Sequence, residues 1–170
     1  KDVSVLIVGG GKVALHKVKR RLDYGPKIKV VAKKVDVRIK NIKGVEWEER
    51  EFEDSDVEGV RFVIAAAGDE ELDEHITSLC NDKGIFINVV DVKDKCDFIF
   101  PSVVSRGKLE IGISSSGASP RITTLLAGEI DSILPDNIEE ILDYLEKLRP
   151  YAKQKICYDV LRARFLSYME

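Results

Sequence analysis

Two hydrophobic rhythms alternate along the first hundred residues. Val3, Val5, Leu6, Ile7 and Val8 form a short β-branched block with little polar content, the pattern of a parallel strand covered on both faces. Gly9, Gly10 and Gly11 end it, and Val13, Ala14, Val18 and Leu22 then recur at helical spacing, with Arg21 adding its aliphatic stem. A second apolar block at 28–32 completes a strand, glycine turn, helix and strand. Residues 45–52 alternate, with Val45 and Trp47 on one side of a half-exposed strand and acidic groups on the other. Residues 62–67 predict a buried strand that closes on small side chains. Residues 69–83 predict a helix with Leu72, Ile76, Leu79 and Cys80 inward and acids in its first turn. IFINVVD, at 85–91, reads as a fifth strand. The fold class is therefore α/β, a Rossmann-type parallel sheet.

At Pro101 the rhythm changes. Residues 102–114 read as two alternating strands joined at Arg106-Gly107-Lys108, a hairpin in place of another βαβ unit. Ser119 is placed to cap a helix with Pro120 at its first position, and Ile122, Leu125, Leu126, Ile130 and Ile133 make an apolar stripe along it. Residues 135–137 break that helix and start another over 138–148, and Pro150 is expected to separate a last helical stretch, 151–168. The divisions are 1–100, 101–134 and 135–170, the last a small C-terminal helical region. So few elements would leave the stripe of the middle segment exposed on a monomer, which argues for a partner chain.

Composition narrows the function classes. The 170 residues are 44% hydrophobic and 34% charged, as in a soluble globular protein, and no apolar run approaches the roughly 20 residues of a membrane span. A net charge of −3 argues against nucleic acid as the main partner. Cys80, Cys96 and Cys157 are odd in number and far apart, so neither a disulfide framework nor a C-x-x-C metal site can be drawn, and a reducing, cytoplasmic setting is expected. Cys80 reads as a small core residue and Cys96 as a packed or loop thiol. His16 and His75 read as surface-helix residues. No secretion signal is evident.

The candidate chemistry begins at the glycines. Read as G-x-G-x-x-A, Gly9 makes the tight turn, Gly11 leaves bare backbone for a pyrophosphate, and Ala14 lets the helix lie close on the strand. Free N–H groups at the helix start, near Lys12 and Val13, would hold the phosphates. Lys33 and Lys34 stand after the second strand, where an NAD site usually places an acid, so these residues by themselves lean slightly toward NADP or toward no preference, or are simply a solvated loop. The small residues Ala65, Ala66 and Ala67, with Gly68, would let adenosine or ribose pass close to the backbone. Asp91, at the tip of what reads as a central strand, is either a proton acceptor at the ligand edge or a turn aspartate. The Ser-Gly run at 114–119 and Arg121, at a helix N-terminus, would form an anion site for carboxylates or phosphates, or a flexible loop with a cap.

GGGKVALHK, AAAGDEEL, NVVD and FIFPSVVSRGKLEIGISSSGASP, in this order, resemble the N-terminal module of the siroheme synthase family, the precorrin-2 dehydrogenases and sirohydrochlorin ferrochelatases. The resemblance runs over residues 3–134. It implies NAD-dependent oxidation of precorrin-2 to sirohydrochlorin and, in bifunctional members, insertion of ferrous iron as a substrate. It also implies a homodimer formed through the hairpin and helix of 101–134, with the substrate cleft in the same segment. The cofactor positions carry over to Gly9, Gly11, Lys12, Val13, Lys33, Lys34 and Ala65, Ala66 and Ala67. The family's key aspartate matches Asp91, the best catalytic candidate. Asn88 of the same motif is placed on the substrate side. The tetrapyrrole carries many carboxylates, so Arg106, Lys108, Arg121 and residues Ser114, Ser115, Ser116 and Ser119 are its natural anchors, Ser115 matching a cleft serine modified in some members. His16 departs from an arginine common in the family, and the region after Pro135 is short. The reading from another class is a non-catalytic, dinucleotide-sensing regulatory Rossmann module. It predicts an acid where Lys33 and Lys34 stand and gives residues 114–120 no role.

Overall fold

The structure, a computed structural model, describes residues 3–22 and 24–155 together with Arg164 and Ser167. It divides into two compact units, Lys1–Ile99 and Phe100–Glu170. In the first, five strands, β1 (Ser4–Val8), β2 (Lys27–Ala32), β3 (Val45–Glu49), β4 (Phe62–Ala65) and β5 (Phe86–Val89), form one parallel sheet in the order β3-β2-β1-β4-β5. Helices α1 (Lys12–Leu22), α2 (Val37–Lys40) and α3 (Glu70–Lys83) connect them, with 3₁₀ turns at Asp54–Val57 and Lys93–Lys95. β1 is buried on both faces, as its unbroken apolar run requires.

Register sets the site. Val8 pairs with Val31 on one side and Ala65 on the other, and Ala65 pairs with Val89, so four strands end together along one edge. Beneath that edge Leu6, Val8, Val31, Val63, Ala65, Ile76, Cys80, Ile87 and Val89 form a continuous core. Burial pushes the Cys80 thiol up to about 11, which keeps it an inert packing group. α3 is capped by Asp69, whose side chain accepts from the Leu72 N–H, and closed by Gly84 in the left-handed conformation at φ 64°.

Several expectations shift. The inward face of α1 is Ala14, Leu15 and Val18, while Val13 is 44% exposed, because the 14, 15, 18 spacing and not 13 falls over the sheet. β3 stops at Glu49 instead of running to Phe52, and Trp47 stays at the surface beneath the Lys40 ammonium. β5 lies at the edge of this sheet and not at its centre, because the chain leaves the parallel topology after it.

The second unit is the hairpin β6 (Ser102–Arg106) and β7 (Leu109–Ile113), turned at Gly107, with α4 (Pro120–Ile133) and α5 (Ile138–Lys155). Ser102 Oγ donates to buried Thr123 Oγ1 at 2.9 Å, tying α4 to β6. Ile122, Leu125, Leu126 and Ile133 of α4 are exposed. Pro150 lies inside α5 instead of ending it. Its missing N–H costs the helix the bond to the Glu146 carbonyl. Cys157 and most of the expected stretch 151–168 lie outside the described residues. Among those described, no helix is long and apolar enough to cross a membrane.

Candidate dinucleotide cleft

The chain leaves β1 through a turn built from contacts that only glycine permits. Gly9 has φ 121°, and a β-carbon there would stand 2.4 Å from the Ala66 carbonyl oxygen. Its N–H donates to the Val31 carbonyl at 2.9 Å, so the turn bridges the ends of β2 and β4. Gly10 is equally confined. A β-carbon would meet the Lys34 carbonyl at 2.2 Å, and its own carbonyl accepts from the Asp36 N–H at 2.8 Å. Gly11 differs from both, with nothing within 4 Å of its β-carbon position. Its carbonyl accepts from the Leu15 N–H and opens α1. The N–H groups of the first turn of α1 have no partner within the helix, and no described group elsewhere takes them. Bare backbone, open space and a helix N-terminus thus meet at one point, the arrangement a pyrophosphate requires.

This turn forms the floor of a cleft of about 470 Å³ at the C-terminal edge of the sheet. Ala66 and Ala67 line it beside the glycines, and Phe52 and Leu72 supply apolar walls. Its far rim is charged. Lys33 Nζ lies 2.9 Å from Glu51 Oε1, and both are well exposed; Glu51 and, more weakly, Asp69 raise the affinity of Lys33 for its proton. Arg50 is fixed behind them, with Nη1 and Nη2 at 2.7 and 2.6 Å from the two oxygens of buried Asp56 and Nε at 2.6 Å from Glu48. Arg50 holds the Asp56 carboxyl far below the usual carboxylate range, with the Glu53 N–H and Lys29 adding to it. Asp36 is spent locally: Arg38 holds it at about 2 through side-chain and backbone hydrogen bonds.

Of the residues expected to hold a cofactor, Gly9, Gly11, Lys33, Lys34, Ala66 and Ala67 line this cleft. Lys12 and Val13 stand exposed at the start of α1, and Ala65 is buried in the last position of β4. Sequence reasoning missed Gly10, Arg50, Glu51, Phe52, Asp69 and Leu72 as cleft residues. Phe52 carried a signal, being a single aromatic residue inside an acidic run.

Asp91 lies two residues past β5, exposed, with φ 64°. The preceding Val90 N–H donates to the Ala65 carbonyl at 2.9 Å, which ties the turn to β4. Asn88 is buried. Its Nδ2 donates to the Phe98 carbonyl at 2.9 Å, and its Oδ1 has no partner.

In the second unit, Arg106 makes a two-pronged pair with Asp131, at 2.8 and 3.0 Å, and Lys108 is held by Asp143 at 2.7 Å and by Glu146. The serine turn before α4 consumes much of its own backbone. Ser116 N–H donates to Ser114 Oγ, Ser119 N–H to Ser115 Oγ and Ala118 N–H to the Ser115 carbonyl, while Ser119 Oγ accepts from the Ile122 N–H. Arg121 is exposed. Among the described residues no cluster of three histidine, cysteine or acidic side chains is close enough to hold a metal ion.

Comparison with known proteins agrees with the glycine turn. Residues 1–102 match a family model described as "Putative NAD(P)-binding". Siroheme synthase of Thioalkalivibrio sulfidiphilus is 36% identical over 168 residues, covering 97% of this chain and 34% of that protein. Siroheme synthase 1 of Klebsiella pneumoniae is 33% identical over 168 residues, covering 97% of this chain and 36% of its own length. The chain thus spans about a third of these curated relatives. The solved structure of SirC, precorrin-2 dehydrogenase, superposes with a TM-score of 0.83 at 24% identity, covering 99% of this chain and 85% of that one, a shared fold. With the family model spanning more than half of its residues and the cleft it calls for present at the sheet's edge, the chain belongs to this NAD(P)-binding family.

Proposed function

We propose that the chain is an NAD-dependent precorrin-2 dehydrogenase, oxidising precorrin-2 to sirohydrochlorin in siroheme biosynthesis. The observation that carries this reading is the shared edge of the first unit. Val8, Ala65 and Val89 are in register, so the glycine turn after β1 and Asp91 after β5 leave the sheet at the same level. A dinucleotide site and a carboxylate at one sheet edge are what such an oxidation needs. The names of the relatives, siroheme synthase and precorrin-2 dehydrogenase, supply the substrate class.

The first-turn amides of α1, with Lys12 and Val13 at its start, would hold the pyrophosphate against Gly11, and Ala66 and Ala67 leave room for the ribose. The nicotinamide, when bound, supplies the two-electron acceptor. Asp91 takes the proton that leaves the tetrapyrrole with those electrons. In a ferrochelatase step, which we propose as a second activity, the same carboxylate accepts pyrrole N–H protons as ferrous iron enters as substrate. NAD is favoured over NADP by Glu51. Its carboxylate accepts ribose hydroxyls, repels a 2′-phosphate and already occupies Lys33. Arg121 and Ser115 are the proposed carboxylate anchors of the second unit, with Arg106 and Lys108 able to serve only by exchanging their present acidic partners. The exposed apolar face of α4 supports a homodimer.

Anaerobic incubation with precorrin-2 and NAD, then with ferrous iron, followed by absorption spectroscopy, separates the two steps. Conversion to sirohydrochlorin in the first stage is expected. Asp91→Asn should lower turnover by about 10²–10⁴ with dinucleotide binding retained. Dinucleotide binding without oxidation of precorrin-2 would overturn the enzymatic reading in favour of a sensor.

A further inference from the structure

After β5 the chain folds back along the strand it has just left. The Asp97 N–H donates to the Ile87 carbonyl at 2.9 Å, and Asp97 Oδ2 accepts from the Ile87 N–H at 2.8 Å, so the free edge of β5 is closed by its own loop. Within that loop Cys96 Sγ lies 3.1 Å from the Val89 carbonyl and 3.2 Å from the Val92 carbonyl, the two carbonyls that bracket Val90 and Asp91. Asn88 Nδ2 reaches the same sulfur at 3.4 Å while also donating to the Phe98 carbonyl. Burial raises the affinity of the thiol for its proton, so it stays a donor. Asp91 itself has φ 64°. That left-handed conformation is uncommon for a residue with a β-carbon, though aspartate adopts it more readily than most, and the contacts around the turn hold it there.

We propose that Cys96, its sulfur held in turn by the Asn88 amide, is a positioning clip that fixes the turn carrying Asp91 through the flanking Val89 and Val92 carbonyls. Neither residue touches the reacting atoms. The inference rests on the reading of Asp91 as the proton acceptor. It also gives Asn88, expected on the substrate side, a different duty: its side chain is turned into the loop. The thiol suits the task because its large sulfur lies within reach of both carbonyls and shares its one proton between them, and serine keeps that single donor at somewhat shorter reach.

The test uses the full chain, with precorrin-2 oxidation and dinucleotide binding measured side by side. Cys96→Ala should lower kcat about tenfold, the scale expected when a reacting group loses its alignment, with KM for NAD and the unfolding temperature unchanged. Cys96→Ser should recover to within about threefold of the parent chain, because the donor is restored. In the Asp91→Asn background, Cys96→Ala should have no further effect, since the clip acts through that carboxylate. An equal tenfold loss in that background, or turnover unaffected by Cys96→Ala while Asp91→Asn is crippled, overturns the clip alone. Parent-level activity of Asp91→Asn overturns the reading beneath it. If Cys96→Ala does not fold, Cys96→Val fills the site without a donor and carries the same expectations.

Discussion

Two turns of this chain are rich in glycine and small polar residues, each opens a helix, and they are built to opposite ends. At residues 9–11 the constraints fall on the sides facing the protein. Gly9 is pressed against Ala66 and Gly10 against Lys34, while Gly11 and the first amides of α1 are left open. At 114–119 the loop turns its hydrogen bonds inward. Serine hydroxyls and a carbonyl take up the N–H groups of Ser116, Ala118, Ser119 and Ile122, and Pro120 has none to offer. An anion site at a helix N-terminus depends on unclaimed donors and not on composition. The first turn has them, and the second has mostly spent them on its own cap.

The open turn depends on a rigid rim, and the largest expected effect lies there. Asp56 is buried between Arg50 and Lys29 and connects the segment after β3 to β2. Asp56→Ala removes the buried acid that Arg50 and Lys29 share, leaving both cations only Glu48, and should cost about 1.5–3 kcal/mol in denaturant unfolding. The sign with pH follows from the lowered carboxyl pKa. Its contribution is present above the unfolded-state value near 4 and is lost as pH falls through the folded-state value. The gap in stability between parent and variant should therefore shrink in acid, and a gap that widened would place the stabilisation elsewhere. Gly11→Val comes next. Its side chain enters open space, so folding should be unchanged while the dinucleotide dissociation constant rises about 10–100-fold, or roughly 1.4–2.8 kcal/mol. Unchanged affinity would mean the phosphates lie elsewhere. Glu51→Gln should be milder, freeing Lys33 and moving the NADP to NAD affinity ratio about tenfold toward NADP in paired titrations.

Periodicity sufficed for the βαβ unit, the hairpin and the Ser119-Pro120 helix start, because each depends on neighbours within a few residues. It failed where the deciding contact is distant in sequence. Gly10 looked like a spacer in the glycine motif, yet its confinement comes from Lys34 and Val35, which only the fold brings to it. Phe52 and Glu51 were read as strand residues. They line the cleft because β3 ends early, once Arg50 is drawn to Asp56. Arg106 and Lys108 read from the sequence as anchors for substrate carboxylates, and the acids that hold them, Asp131, Asp143 and Glu146, lie 25 to 38 residues further on. Asn88 stood in a motif whose pattern marks it as important without saying which way its amide points.

The smallest effect is the most direct probe of the contrast between the turns. Ser119 Oγ accepts from the Ile122 N–H at 3.3 Å and caps α4, a function internal to the second unit. Ser119→Ala removes one cap and should destabilise by about 1 kcal/mol, visible as a lower midpoint in chemical denaturation. Because Ser119 spends its hydroxyl on its own helix and the dinucleotide cleft lies wholly within the first unit, the affinity for NAD should stay within twofold or so of the parent. A closed turn predicts loss of stability with binding intact, whereas Gly11→Val predicts the reverse. If Ser119→Ala instead left stability unchanged and weakened a bound anion, the serine turn would have to be an open site like the first, with its internal hydrogen bonds exchanged for ligand.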